Sequence, residues 1–170
     1  MQDTVLGLSV CNTDGATTFD DAMHVFLDHL ISVIQKARDS APFRIVCLPT
    51  AQKDEQFALY LTKHLDDCSS TLAHSPVSYV QELSHCSAFI GMRMHSLILA
   101  SRVNNLPYIA LPYTQKVRDL FCDCPDVLVE QDALNAEHIC ALIQSDSSTP
   151  LLQHADTEDQ THWLKEHLQR

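Results

Sequence analysis

The chain has 170 residues, of which 45% are apolar and 19% charged, a globular composition at the size of one domain. Its 22 carboxylates against 11 Lys and Arg leave a formal net charge of -11, which excludes non-specific binding to nucleic acid or to an anionic membrane surface. No apolar run approaches the ~20 residues of a membrane span and no basic leader opens the chain, so the seven cysteines read as free thiols in a reducing, cytoplasmic compartment.

Along the chain, strand-like apolar runs alternate with amphipathic segments of helix length. Thr4–Val10 reads as a first strand, followed by a polar turn through Asn12, Asp14 and Gly15. Asp20 or Asp21 caps a long helix to about Ser40, with Val25, Phe26, Leu30, Val33 and Ile34 as its apolar positions. Phe43–Leu48 is the second strand, stopped by Pro49, and a helix from about Asp54 carries Phe57, Leu61 and Leu65. A weak strand is expected near Ser69–Ala73, and Pro76 opens a short helix to about His85. Ser87–Gly91 is a buried strand, Met94–Arg102 a helix, Pro107–Leu111 a strand and Lys116–Phe121 a short helix. Asp126–Val129 reads as a last strand and Ala133–Gln144 as a helix with Leu134, Ile139, Leu142 and Ile143.

This alternation predicts a single α/β domain over residues 1–145, a mostly parallel sheet with helices on both faces. Residues 146–157, rich in Ser, Pro and Asp, read as a loop, and residues 158–170 as a terminal helix with Trp163, Leu164 and Leu168 on one side. Ligands of such sheets bind beyond the carboxyl ends of the strands, near a topological switch point. The three glycines, Gly7, Gly15 and Gly91, are too few for a phosphate-cradling loop, a dinucleotide fingerprint or a Gly-x-Ser-x-Gly elbow. Cys47 and Cys86 sit in or beside apolar runs and are expected in the core. The pair Cys122-Asp-Cys124 lacks structural zinc spacing, and the ten histidines are scattered, so neither a metal nor another cofactor is expected.

One window stands apart. From Ser87 to Arg118 there is no Asp or Glu, while Arg93, Arg102, Lys116 and Arg118 fall inside it. Arg93 offers a planar fork for carboxylate or phosphate, and His95 a group that moves protons near neutral pH. Tyr113 and Lys116 follow on the next loop. The alternative is that Arg93 pairs with a surface carboxylate and His95 merely packs. Asp54 and Glu55, after Pro49, offer a base for a hydroxyl nucleophile; the plainer reading makes them a helix cap or a solvated rim.

The run Phe89-Ile-Gly-Met-Arg-Met-His-Ser-Leu-Ile-Leu-Ala100, followed by Leu106-Pro-Tyr-Ile-Ala-Leu-Pro-Tyr-Thr-Gln-Lys116, resembles the C-terminal signature of the polysaccharide pyruvyl transferases. The family pattern there is Gly-x-Arg-x-His-x-x-x-x-Ala, then Pro-x-apolar-x-x-x-Tyr-x-x-Lys. Leu48-Pro49 with Lys53-Asp-Glu55, and the order of elements from residue 4 to about 145, also fit. Related two-domain glycosyltransferases imitate parts of this pattern.

The resemblance implies a Rossmann-like fold like the C-terminal domain of a GT-B-type transferase, acting in polysaccharide biosynthesis. Phosphoenolpyruvate would be the donor substrate and a sugar of a cell-surface polysaccharide the acceptor. By the same resemblance Arg93 and His95 hold the donor and assist its chemistry. Ser96, Tyr113 and Lys116 join Asp54 and Glu55 around it. Only the second half of the two-domain family fold is matched, so a complementary N-terminal half or a second copy is an expected partner. Where members often carry an Arg after the first strand, this chain reads Val10-Cys11-Asn12. Two other readings stand beside this one: a nucleotide-sugar-binding half of a glycosyltransferase, and a catalytically silent interaction module that uses the terminal helix for assembly.

Overall fold

The structure, a computed structural model, describes residues 4–12 and 19–145. The expected loop and terminal helix beyond Ser145 lie outside these residues. Five strands are present: β1 Val5–Ser9, β2 Arg44–Cys47, β3 Cys68–Ser70, β4 Ala88–Gly91 and β5 Tyr108–Ala110. They form one sheet in the order β3-β2-β1-β4-β5, and every pairing is parallel. The chain winds outward from β1 to β3 on one side, then returns to lay β4 and β5 on the other. The switch point therefore lies between β1 and β4.

Side-chain alternation sorts the two faces. Leu6, Leu8, Ile45, Cys47, Ala88, Ile90 and Ile109 pack beneath α1 Asp21–Ser40, α2 Glu55–His64 and α6 Ala136–Gln144. Phe89, Tyr108 and Ala110 face α3 Pro76–Ser84, α4 Met94–Ala100 and α5 Gln115–Leu120. Both faces are thus buried, which is why the strands read as continuous apolar runs.

Local chemistry sets the helix ends. Asp20 caps α1 by accepting from the Met23 amide at 2.8 Å, and Ser75 forms a capping box with Ser78 ahead of Pro76 at the start of α3. Asn135 caps α6, so that helix begins after Ala133 and Leu134, although Leu134 remains buried. The buried stripe of α1 runs through Met23, Phe26, Leu27, Leu30, Ile31, Val33, Ile34 and Ala37. Val25, expected in that stripe, lies on the opposite side of the helix and is 71% exposed.

Three other expectations need correction. The weak third strand is shifted toward the N-terminus, to Cys68–Ser70, where it is in register with Ile45–Cys47. The expected strand Asp126–Val129 is a 3₁₀ turn at Pro125–Val127 followed by a single bridge from Leu128 to Ala110; three residues spent in the turn leave too little chain for a ladder. Cys86 is half-buried, whereas Cys47 is buried as expected.

Two glycines leave room for close side-chain packing at the sheet. A Cβ on Gly7 would stand 2.9 Å from Cys86 Sγ, and one on Gly91 would stand 2.7 Å from Phe89 Cε1 and 3.0 Å from Leu97 Cδ2. Gly91 is thus what lets α4 fold back onto the end of β4. Gly91→Ala is expected to lower stability by about 1–3 kcal/mol, the usual penalty of overpacking a core; urea unfolding checks this, and an unchanged midpoint contradicts it.

Candidate functional site

β2, β1 and β4 end in step. The Leu48 amide donates to the Leu8 carbonyl at 2.7 Å, and the Met92 amide to the Ser9 carbonyl at 2.9 Å. Beyond β4 the backbone stays extended for one residue at Arg93 and then enters α4. The Arg93 carbonyl accepts from Leu97 N at 3.1 Å and from Ser96 Oγ at 2.7 Å. Beyond β2, Pro49 ends the ladder and a 3₁₀ turn, Gln52–Asp54, leads into α2.

These loops meet through their side chains. Arg93 Nε donates to Asp54 Oδ2 at 2.5 Å and Nη2 donates to Oδ1 at 2.7 Å. Thr50 Oγ1 gives a longer third bond to Oδ2 at 3.4 Å. The Asp54 side chain is 2% exposed and that of Arg93 19%. A two-pronged pair of this kind is the strong form of a charge-assisted hydrogen bond. It holds the Arg93 guanidinium firmly protonated, with the bond to Asp54 as the first cause.

Asp54 is therefore neither a solvated rim residue nor a side-chain helix cap, since it makes no capping bond to α2. The carboxylate that Arg93 meets is not a surface one either. The reason is tertiary: β1 lies between β2 and β4, so the pair reaches across the end of β1.

Just past β1, Cys11 and Asn12 are 0% and 4% exposed. Burial pushes the Cys11 thiol up to about 12; Asp54 adds to this, while Arg93, Tyr113 and Lys53 oppose it. Tyr113 lies against Cys11, and burial raises its phenol too. The structure thus brings Arg93, Asp54, Cys11 and Tyr113 together, with Lys53 within electrostatic reach. Cys11 was not among the candidate residues; its place directly after the strand nearest the switch point was the available signal.

The other expected site residues stand farther out or deeper in. His95 and Lys116 are exposed and Glu55 is half-buried. Ser96 is fully buried, its hydroxyl committed to the Arg93 carbonyl. Behind it the buried Tyr79 hydroxyl donates to the Leu48 carbonyl at 3.0 Å. Burial raises the Tyr79 phenol, with the Ser9 and Ser96 hydroxyls opposing. Ser9 Oγ is buried and makes no hydrogen bond of good geometry. Among the described residues no three His, Cys, Asp or Glu side chains gather as a metal site. No helix among them is long and apolar enough to cross a membrane.

The Cys11 environment has a pH signature. An unfolded thiol ionises near the ordinary 9.0, whereas the folded one holds its proton to about 12. Above pH 9 the unfolded state therefore binds fewer protons than the native state, and stability falls as pH rises. This stabilisation is complete below pH 9 and is lost between 9 and 12, and Cys86, also pushed up to about 12, adds to the slope. Urea midpoints followed from neutral pH through that window are expected to decline, with a shallower decline in Cys11→Ala.

No protein-family model and no curated protein matches the chain. Among solved structures, the glycosyltransferase SnogD from Streptomyces nogalater is similar over 86% of this chain and 36% of its own, with a TM-score of 0.59 and 16% identity. The chain therefore spans well under half the length of that neighbour, and at this identity the likeness is one of fold. The fold is α/β and Rossmann-like, a parallel sheet with helices, and it is shared with part of that glycosyltransferase.

Proposed function

We propose that this domain is the donor-binding half of a polysaccharide pyruvyl transferase-type enzyme and takes phosphoenolpyruvate. The observation that carries this reading is the place of Arg93. The arginine of the Gly-x-Arg-x-His motif stands at the carboxyl end of β4, beside the switch point, with its guanidinium partly exposed and fixed by Asp54. Open parallel sheets bind ligands at such a place.

The chemistry asks for fixed donors. Protonation of the methylene carbon of phosphoenolpyruvate leaves an oxocarbenium-like centre. Two sugar hydroxyls then form C–O bonds to the carbon of that centre, its bond to the bridging phosphate oxygen breaks, and of the two protons given up one replaces the proton used on the methylene and the other leaves with the phosphate. The anionic leaving group needs preorganised hydrogen-bond donors. Arg93 supplies a fork for phosphate or carboxylate, and His95 supplies a proton-transfer group or a second contact. Because Asp54 cancels the formal charge of Arg93, the multiply charged donor also draws on Lys53, Lys116 and His95. The acceptor sugar and the complementary half, or a second copy, complete the cleft and exclude water.

A second reading is favoured by the likeness to a glycosyltransferase: a nucleotide-sugar-binding half, in which Arg93 holds a diphosphate. The interaction-module reading rests on the terminal helix expected over residues 158–170, which lie outside the described residues.

Thermal-shift titration separates the two enzymatic readings. At a concentration about 100-fold above its Kd, phosphoenolpyruvate is expected to raise the Tm by roughly 5–10 °C. His95→Ala, a surface change, is expected to weaken that response while leaving the unliganded Tm in place. Stabilisation by nucleotide-sugars alone selects the second reading and defeats the first.

A further inference from the structure

Resting on that reading of the site, we propose that Asp54 is a positioning residue. It clamps the Nε/Nη2 edge of Arg93 so that the Nη1/Nη2 edge is presented, fixed in plane, to the phosphate or carboxylate of the ligand over the end of β1. A guanidinium carries five N–H donors in a rigid fork and can engage two oxyanions along different edges. Asp54 takes one edge side-on through Nε and Nη2. A ligand oxyanion can take the other without displacing it.

Both partners are tethered from behind. The backbone of Arg93 is held by Leu97 N and Ser96 Oγ. Asp54 sits in a 3₁₀ turn, its amide donating to the Ala51 carbonyl at 2.8 Å. The partners are 39 residues apart in sequence and arrive from strands on either side of β1. Their union therefore ties two loops to one another across the end of that strand. A buried ion pair adds little net stability compared with apolar contacts of the same volume, so stability alone does not account for it.

Electrostatics and geometry make opposite predictions here, which is what makes the assignment testable. The charge of Asp54 repels an anionic ligand, so by charge alone Asp54→Asn tightens binding. Positioning predicts the reverse, because the Asn Nδ2 only donates, so the two-oxygen clamp on Nε and Nη2 is lost and the fork is released. Calorimetric titration of the folded Asp54→Asn variant is expected to show phosphoenolpyruvate affinity reduced by about tenfold to a hundredfold, with inorganic phosphate as a second probe following the same trend. In parallel, the Arg93 Nε–H signal of arginine-labelled protein is expected to exchange slowly with solvent in the wild type and rapidly in Asp54→Asn.

Unchanged or tighter binding by folded Asp54→Asn overturns the proposal, as does a lowered Tm with affinity intact. If Asp54→Asn does not fold, Asp54→Glu carries the test. It keeps the charge and displaces the carboxylate by one methylene, so weakened binding supports positioning and intact binding overturns it. If the wild type binds neither phosphoenolpyruvate nor phosphate, the pyruvyl transferase reading falls by itself. The Arg93 signal then decides for Asp54, since rapid exchange in the wild type shows that no clamp exists.

Discussion

The carboxyl end of this sheet is organised by one interaction, the two-pronged ion pair between Arg93 and Asp54. The sheet order places β1 between the strands that deliver its two partners, so the pair is a strut across the end of the central strand. Cys11 and Asn12, just past β1, are buried, and burial pushes the Cys11 thiol up, with Asp54 adding to this and Arg93 and Tyr113 opposing it. The pair joins two loops at the place where open parallel sheets bind ligands.

The pair also changes the electrostatic character of the site. A chain of net charge -11 contains a long window without carboxylates, which looks electropositive along the sequence. In space Asp54, from outside that window, stands against its key arginine. What remains is a guanidinium whose Nε and Nη2 are both bonded to a buried carboxylate. Such a group selects ligands by shape and hydrogen-bond geometry as well as by charge.

The second helical layer supports this from below. Gly91 lets α4 approach the end of β4, and Ser96 on that helix returns a hydrogen bond to the Arg93 carbonyl. Tyr79 from α3 reaches the Leu48 carbonyl, one residue ahead of the proline that ends β2. Apolar packing on this face thus sets where the two site loops begin. The ion pair then sets where they meet.

Much of this was legible in the linear chain. Apolar runs such as Phe43–Leu48 and Ser87–Gly91, alternating with the stripe of α1, are enough to specify a parallel α/β sheet, because hydrophobic periodicity reports local geometry and burial. The place of Arg93 at a strand end followed from the same pattern. The marginal elements did not follow, because their state depends on neighbours: β3 exists only in register with β2, and Leu128 pairs only where Ala110 reaches it. The role of Asp54 was equally out of reach, since a carboxylate before an amphipathic helix has the local signature of a cap. Only the sheet order, which carries β4 back past β1, brings it to Arg93. Periodicity is a property of neighbours along the chain, whereas a pairing across 39 residues is decided by topology.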